Sequence, residues 1–319
     1  MTTATVDRPT TTPTAPVPPR RRPRPPARYV VVSVLAVLAL VGALVGPAVY
    51  GFLTDSTAKD RIAADPPPTL FPDATVRRVD SLTDPQQARA TRLMQQWWSD
   101  HGTTADDTAF QAFLEATLPG PPDAARRSAE MGEVERLDRQ RTAAGITAAT
   151  WLEAHGKKDV WKLAAHDQAE YLAGSTGDGR KNAVDDMLSM TKTVADDLGT
   201  TFQMSAPYVL EPSLRTDHVV SPGDVCPCSY PSRHASAAAA SRTFLAHFMP
   251  QRDAEYRWWQ DQIDYSRIYM AGHVASDIAG GTLLGDMVGQ YFLVTRGGVA
   301  PDQVSSAGGA VEAGEPAGS

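Results

Sequence analysis

Cysteine is nearly absent: 319 residues carry two, Cys226 and Cys228, parted by Pro227. A disulfide across a single proline would be strained, and two thiols are too few for a structural zinc site. Histidine is scarce as well, seven in all. His155, His166, His218 and His247 show no paired ligand spacing with one another, or with Asp217 or Asp224, of the kind zinc requires. Basic residues are outnumbered, 30 against 37 acids, for a formal net charge of −7. That balance excludes wholesale nucleic-acid binding, which needs clustered cations against phosphates. Alternating strand patterns and internal repeats are also missing, which argues against sheet and solenoid architectures.

Long apolar runs are missing too, with one exception. Tyr29 to Leu53, YVVVSVLAVLALVGALVGPAVYGFL, carries no charge, and about 20 apolar residues suffice for a helix to cross the hydrocarbon core. Ahead of it, residues 1–28 are rich in Thr, Pro and Arg and read as a disordered cytoplasmic tail. That tail holds Arg8, Arg20, Arg21, Arg22, Arg24 and Arg28 against the single acid Asp7. Arginines on this side predict a cytoplasmic N-terminus and an exported remainder. A cleaved signal peptide is the competing reading. The run exceeds a usual signal core and no small-x-small site follows it, which favours an uncleaved anchor over 29–53. Either reading puts the rest of the chain outside the cytoplasm, and the anchor makes it single-pass at the cell membrane.

Residues 54–82, with Pro66, Pro67, Pro68 and Pro72 and few periodic apolar positions, read as a linker. From 83 to 296 the signals are helical, and 42% apolar residues suffice for a core. Asp84 as N-cap, Pro85 at the first helical position and Gly102 near the end delimit one helix. Val184, Met187, Leu188, Val194 and Leu198 form a stripe that stops at Gly199, with Met187 and Met190 as core. Trp161, Ala165, Ala169 and Leu172 share a face, while Glu135 and Arg139 suit a solvated helix with an i,i+4 pair. Trp97–Trp98 and Trp258–Trp259 suit core or membrane-proximal packing. The expectation is an all-α helical bundle of roughly six to eight helices. One transmembrane helix precedes it, and a Gly/Ala/Ser-rich disordered tail follows at 297–319.

Chemistry concentrates in the C-terminal half. YPSRHAS, Tyr230–Ser236, places a hydroxyl, a guanidinium and an imidazole at the start of the small-residue helix ASAAAASRTFLAHF. Ser232 can cap that helix, whose free N–H groups favour an anion, and alanines 237–240 let another backbone come close. Further on, YSRIYMAGHVASDIAGG holds Arg267, His273 and Asp277. His273 and Asp277, four apart, share a helix face, where a carboxylate can hold an imidazole tautomer and stabilise its charged form. APYVLEPSLRTD supplies Tyr208 and Arg215. Each residue alone has an ordinary explanation: Ser232 as a plain cap, His234 as a satisfied core residue, Arg267 as a partner of Asp264 or Asp277. Their joint order favours one oxyanion pocket.

Ser266-Arg267-x5-His273-x3-Asp277 resembles the third signature motif of the superfamily uniting type 2 phosphatidic acid phosphatases, bacterial class A acid phosphatases and vanadium haloperoxidases. Pro231-Ser232-Arg233-His234 resembles its second motif, Pro-Ser-Gly-His. The likeness covers roughly residues 200–290 and implies that superfamily's helical bundle. It also implies His273 as nucleophile, Asp277 orienting it and His234 as general acid. Arg267 and Ser232, with main-chain N–H groups near residue 233, would hold the phosphoryl oxygens. A phosphatase of this kind needs no metal and no cofactor; a haloperoxidase would carry vanadate at His273. Two departures stand out. The first family motif, Lys-x6-Arg-Pro, meets Tyr208-x6-Arg215-Thr216, so Arg215 fits the arginine place and Tyr208 stands where the lysine belongs. Arg233 replaces the usual glycine and is read as supplying the missing ammonium's charge at the phosphate.

The expectation is therefore an exported, membrane-anchored phosphatase. It would hydrolyse a phosphate or pyrophosphate ester of a small molecule or lipid headgroup through a phosphohistidine. A vanadate-dependent haloperoxidase is one alternative. A catalytically silent cell-envelope protein that binds a partner or an anion is the other.

Overall fold

The computed structural model describes residues 57–168, 179–216 and 229–306. Outside them lie the basic tail, the anchor expected at 29–53, Ala169 and Leu172, Asp217, His218 and Asp224, Cys226 and Cys228, and the chain beyond 306. Among the described residues no helix is long and apolar enough to cross a membrane, and the regular elements are helical. They are α1 (Ala58–Ala64), α2 (Asp73–Val76), α3 (Asp80–His101), α4 (Asp107–Thr117), α5 (Ala124–Asp138), α6 (Ala143–His155), α7 (Asp159–Asp167), α8 (Gly179–Phe202), α9 (Pro207–Leu210), α10 (Arg233–Phe248), α11 (Asp253–Tyr269), α12 (Ala275–Thr295) and α13 (Pro301–Ser306).

The apolar stripes close the core. Val184, Met187, Leu188, Met190, Val194 and Leu198 of α8 are all buried, as are Trp161 and Ala165 of α7. Trp97 is fully buried, and the Phe110 and Tyr291 rings stack at 3.9 Å beside it. Helix α8 runs through Gly199 to Phe202 instead of stopping at the glycine. On α5 the pairs that form are Arg126 with Glu130, four apart, and Arg136 with Glu133, where Glu135 and Arg139 were expected.

From Thr57 to Leu82 the stretch read as a linker is folded. Thr57 and Asp60 exchange side-chain and backbone hydrogen bonds, a capping box that starts α1. Arg61 pairs with Asp159 at 2.6 Å, and the Trp151 indole donates to the Asp65 carbonyl at 2.8 Å. Phe71 is buried, with its N–H and C=O both bonded to the Gln262 amide at 3.1 and 2.8 Å. Three consecutive prolines dominate the composition, and apart from the capping box these contacts are long-range, so no local period reveals them. Likewise α3 starts at Asp80, after a 3-10 turn at Arg77–Val79, and carries Pro85 inside. Asp84 does not cap it but pairs with Arg257 of α11 at 2.6 Å. Gly102 does close it, at φ 68°, a left-handed position that glycine takes without strain.

Helices α10 and α12 position the chemistry. Gly281, Gly285 and Gly289 of α12 lie directly on α10: an added Cβ would strike the Ser232 carbonyl at the first and the Ser236 carbonyl at the second, and would lie 2.9 Å from the Ala240 carbonyl at the third. Ala235 and Ala239 complete the small-residue seam. Residue numbers rise together along it, so α10 and α12 run parallel with their N-termini at one end.

Candidate active site

Parallel helices bring the segment before α10 against the turn before α12. The Ser232 N–H donates to the Asp277 carbonyl at 3.0 Å. His273 Nδ1 lies 2.8 Å from the Ser229 carbonyl. A carbonyl only accepts, so Nδ1 carries the proton and the neutral ring keeps its lone pair on Nε2. The Asp277 carboxylate stands 3.8 Å from Nδ1, too far for a hydrogen bond. It is held instead by the Val274 N–H at 2.9 Å and by buried Arg127 at 3.1 Å. The tautomer of His273 is therefore set by a backbone carbonyl, and Asp277 acts on the ring as a close buried charge. Burial pushes the Asp277 carboxyl up, but His273, Arg127 and the Val274 N–H outweigh it and hold it below its ordinary value.

The turn between α11 and α12 ties Arg267 to His273. The N–H groups of Gly272 and His273 both donate to the Arg267 carbonyl, at 3.0 and 3.2 Å. Ala271 takes a positive φ of 56° to allow it. The Arg267 guanidinium then folds back over Gly272, where a Cβ would lie 2.8 Å from Nη2.

Glu153, near the end of α6, organises the opposite wall. Its carboxylate accepts from Arg267 Nη2 at 2.9 Å and from Arg215 Nη1 at 3.0 Å, and its backbone carbonyl lies 3.0 Å from His234 Nε2. Burial alone would raise the Glu153 carboxyl; the Arg267 and Arg215 guanidinium groups outweigh it and hold it low. His234 moves the other way. Its ring is buried beside Arg267 and His273, and burial together with the Arg267 and Lys157 charges pushes it well below the usual imidazole value despite the Glu153 carbonyl. Arg267 is 3% exposed, and its Nε and Nη1 have no hydrogen-bond partner among the described residues. Burial lowers its pKa against the pull of Glu153, yet a guanidinium stays charged.

These groups face a cavity of about 370 Å³ whose wall includes His234, His273, Arg267, Glu153, Lys157, Arg233 and Tyr208, a volume in the range of small-molecule sites. Among the lining residues Ser232, Asp277 and Arg215 do not appear. Ser232 is fully buried, its Oγ capping α10 by accepting from the Ala235 N–H at 3.3 Å. Arg215 is buried behind Glu153, its guanidinium 5.7 Å from the Tyr208 ring. Both were expected on the phosphate; the cap and the ion pair place them one layer back. Arg233 is on the wall but pairs with Asp196 at 2.8 Å.

Sequence reasoning missed Glu153, Lys157 and Arg127. Lys157 supplies an ammonium to the cavity from the α6–α7 junction, although the lysine place of the first motif is occupied by Tyr208. Its pKa is lowered by partial burial and by the Arg233 and Arg267 charges. The only local signal was Glu153 and Lys157 four residues apart in WLEAHGKK; Arg127 left none. Among the described residues no group of three His, Cys, Asp or Glu side chains is placed to hold a metal ion.

Residues 187–297 match the family model described as the PAP2 superfamily. The matched segment holds both histidine motifs, and through it the chain is similar to the type 2 phosphatidic acid phosphatase superfamily. A solved structure similar to it is the first transmembrane PAP2 type phosphatidylglycerolphosphate phosphatase from Bacillus subtilis, 18% identical. The similarity covers 59% of this chain and 92% of that one, with a TM-score of 0.41. No curated protein matches the chain.

Proposed function

We propose that this chain is a phosphatase that hydrolyses a phosphate ester through a phosphohistidine on His273, held outside the cytoplasm by the apolar segment 29–53. Arg267 carries the reading. A buried guanidinium with two unpaired donors is costly unless a ligand satisfies them, and its fork matches a phosphate oxygen pair. With Lys157 and Arg233 on the same wall, the cavity offers three cations to a tetrahedral anion, against Glu153 and Asp196.

The lone pair of His273 Nε2 attacks phosphorus while the ester P–O bond breaks, and the leaving oxygen takes a proton from His234. His234 Nε2–H stays on the Glu153 carbonyl, so Nδ1 is the nitrogen that delivers and recovers the proton. Water then attacks the phosphohistidine, His234 accepts its proton, and the P–N bond breaks to release phosphate and free His273. Arg267 and Lys157 hold the non-bridging oxygens as charge spreads over them. The residues themselves supply acid, nucleophile and charge. Substrates are phosphorylated small molecules or lipid headgroups presented at a bilayer surface.

Lys157 also supports a second reading, because a vanadate-dependent haloperoxidase needs an ammonium at the oxyanion. One experiment separates the two. Full-length protein in detergent is assayed on phosphomonoesters and prenyl pyrophosphates, with trapping of an acid-labile phosphoenzyme, and for halide oxidation with vanadate and peroxide. Hydrolysis with a trapped intermediate, both lost in His273→Ala, is the expected result. Halide oxidation without hydrolysis would replace the proposal with the second reading, and inertness in both assays would leave a silent scaffold.

A further inference from the structure

Helix α5 buries Arg127, Val134 and Leu137, so a guanidinium stands on the inward face where an apolar side chain would suit. Its chain neighbours Arg126 and Ser128 are exposed. Burying a charge is costly unless it is paired and hydrogen-bonded, and a well-packed apolar residue would join two helices at least as well. Packing therefore does not account for Arg127; the groups it holds do.

Arg127 Nη1 donates to the Asp277 carboxylate at 3.1 Å, and Nη2 donates to the Ser205 carbonyl at 2.7 Å and to Ser229 Oγ at 2.9 Å. These acceptors belong to α12, to the segment before α9 and to the segment before α10. Ser229 is thereby fixed at three atoms. Its N–H donates to the Met204 carbonyl at 2.8 Å, its Oγ accepts from Arg127, and its carbonyl lies 2.8 Å from His273 Nδ1. Asp277 and Ser229 are the two acceptors beside that nitrogen, at 3.8 and 2.8 Å, and one guanidinium spans both. The same helix grips the turn a second time. Glu130, three residues on, accepts from the Ser276 N–H at 3.2 Å and from the Ser276 hydroxyl.

We infer that Arg127 is a positioning residue for the nucleophile: it keeps the Asp277 carboxylate off the His273 ring and holds in its place the Ser229 carbonyl that takes the Nδ1 proton. His273 as nucleophile rests on the phosphatase reading. A carboxylate is a stronger acceptor for an imidazole N–H than a carbonyl is, and Asp277 stands just beyond hydrogen-bond range. Arg127 and the Val274 N–H draw it the other way, so the ring is aimed by a fixed backbone group. Attack on phosphorus depends on that aim, because a misplacement of about 1 Å can cost about a hundredfold in rate. Arg127 itself is not among the residues lining the catalytic cavity, so it acts on the anion only through His273.

The test uses full-length protein in detergent and the variants Arg127→Gln, Arg127→Lys and Ser229→Ala. Three readouts are taken: kcat with single-turnover phosphoenzyme formation on phenyl phosphate, calorimetric Kd for orthophosphate, and the NMR resonance of the His273 Nδ1 proton, assigned by its loss in His273→Gln. Arg127→Gln should lower kcat and phosphoenzyme formation by about a hundredfold. Its Kd for orthophosphate should stay within about twofold, since Arg267, Lys157 and Arg233 are untouched. The Nδ1 proton should move downfield as the carboxylate replaces the carbonyl. Arg127→Lys keeps the charge on Asp277 without the fork and should regain about tenfold of the rate. Ser229→Ala keeps the backbone carbonyl and removes one of the acceptors of Arg127; a severalfold fall in kcat with phosphate binding unchanged is expected there, and it carries the test if Arg127→Gln does not fold. A loss of orthophosphate affinity as large as the loss of kcat, or an unchanged kcat with an unmoved resonance, overturns the inference and leaves the phosphatase reading standing. If the wild-type protein hydrolyses nothing, the phosphatase reading fails and the resonance alone decides. A downfield move in Arg127→Gln then upholds the hold on His273, and an unmoved one overturns it.

Discussion

The Glu153 carboxylate meets the Arg267 guanidinium at 2.9 Å, while the backbone carbonyl of the same residue lies 3.0 Å from His234. One residue of α6 thus holds both the guanidinium and the imidazole. In Glu153→Gln the backbone contact to His234 survives, but Arg267 and Arg215 lose their shared counter-charge. Removing one partner of a buried ion pair costs about 3–5 kcal/mol, and partial exposure of Glu153 places the loss near the lower end. A clear fall in Tm and a drop of about a hundredfold in kcat/KM are expected, with the shape of the pH profile kept. A changed pH profile would show that Glu153 acts through His234 instead.

Gly272→Ala tests the guanidinium placement more gently. Its Cβ would lie 2.8 Å from Arg267 Nη2, the far end of a flexible side chain, so the side chain moves and the backbone does not. KM should rise about tenfold with little change in thermal unfolding. Gly285→Ala is the contrast: there the clash is with the Ser236 carbonyl of α10, backbone against backbone, and the loss of stability should reach about 3 kcal/mol. Equal Tm values for the two variants would contradict the seam.

His234 predicts the pH dependence. As general acid it must be protonated, and in the free protein burial beside Arg267 holds its pKa well below 6.5. The profile of kcat/KM should therefore fall with rising pH from the acid side, while that of kcat, with an anion bound next to the ring, should fall at higher pH. His234→Gln should flatten both limbs. A kcat/KM profile level from pH 5 to 8 would remove His234 from the acid role.

Lys157 and Arg233 can be ranked. Arg233 is engaged by Asp196 at 2.8 Å, whereas Lys157 faces the cavity under the field of Arg267. Lys157→Met should cost about 10- to 100-fold in kcat/KM, more than Arg233→Gly. The reverse order would restore Arg233 as the main substitute for the motif lysine.

Stability should carry a separate signature. Asp261 and Asp286 are buried between α10, α11 and α12, and burial raises each from 3.8 to about 7. Asp264 is fully buried, and burial with the Asp261 charge beside it pushes it well above 3.8. Between pH 4 and 7 the native state holds protons that the unfolded chain has released, so these groups make stability rise as pH falls. His234, with its depressed pKa, works in the opposite sense below 6.5. Asp286→Asn should therefore raise the urea midpoint at pH 8 and leave it nearly unchanged at pH 5. A larger gain at pH 5 would reverse the assignment.

Much of the site is local in sequence, and that part was legible. His234 at a helix start, and Arg267, His273 and Asp277 around one turn, could be read from spacing. The partners could not: Arg127 reaches Asp277 across 150 residues, and Glu153 reaches Arg267 across 114. Asp277 looked like the hydrogen-bonded orienter of His273 because the two are four apart, yet His273 turns to the Ser229 carbonyl. Ser232 and Arg215 carry the right chemistry, but a cap and an ion pair engage them. The 54–82 stretch looked irregular because its order comes from Gln262 and Asp159, far along the chain.

The sequence by itself determined the helical class, the small-residue face of alanines 237–240 and the order of the two histidine motifs, since these depend on propensity and spacing within a few residues. Only the tertiary structure decided that α10 and α12 run parallel, that Glu153 bridges two arginines, and that Lys157 supplies the ammonium missing beside Tyr208. Hydrogen bonds and ion pairs between helices depend on where backbones come to rest when side chains pack. A local pattern of residues carries no term for that distance.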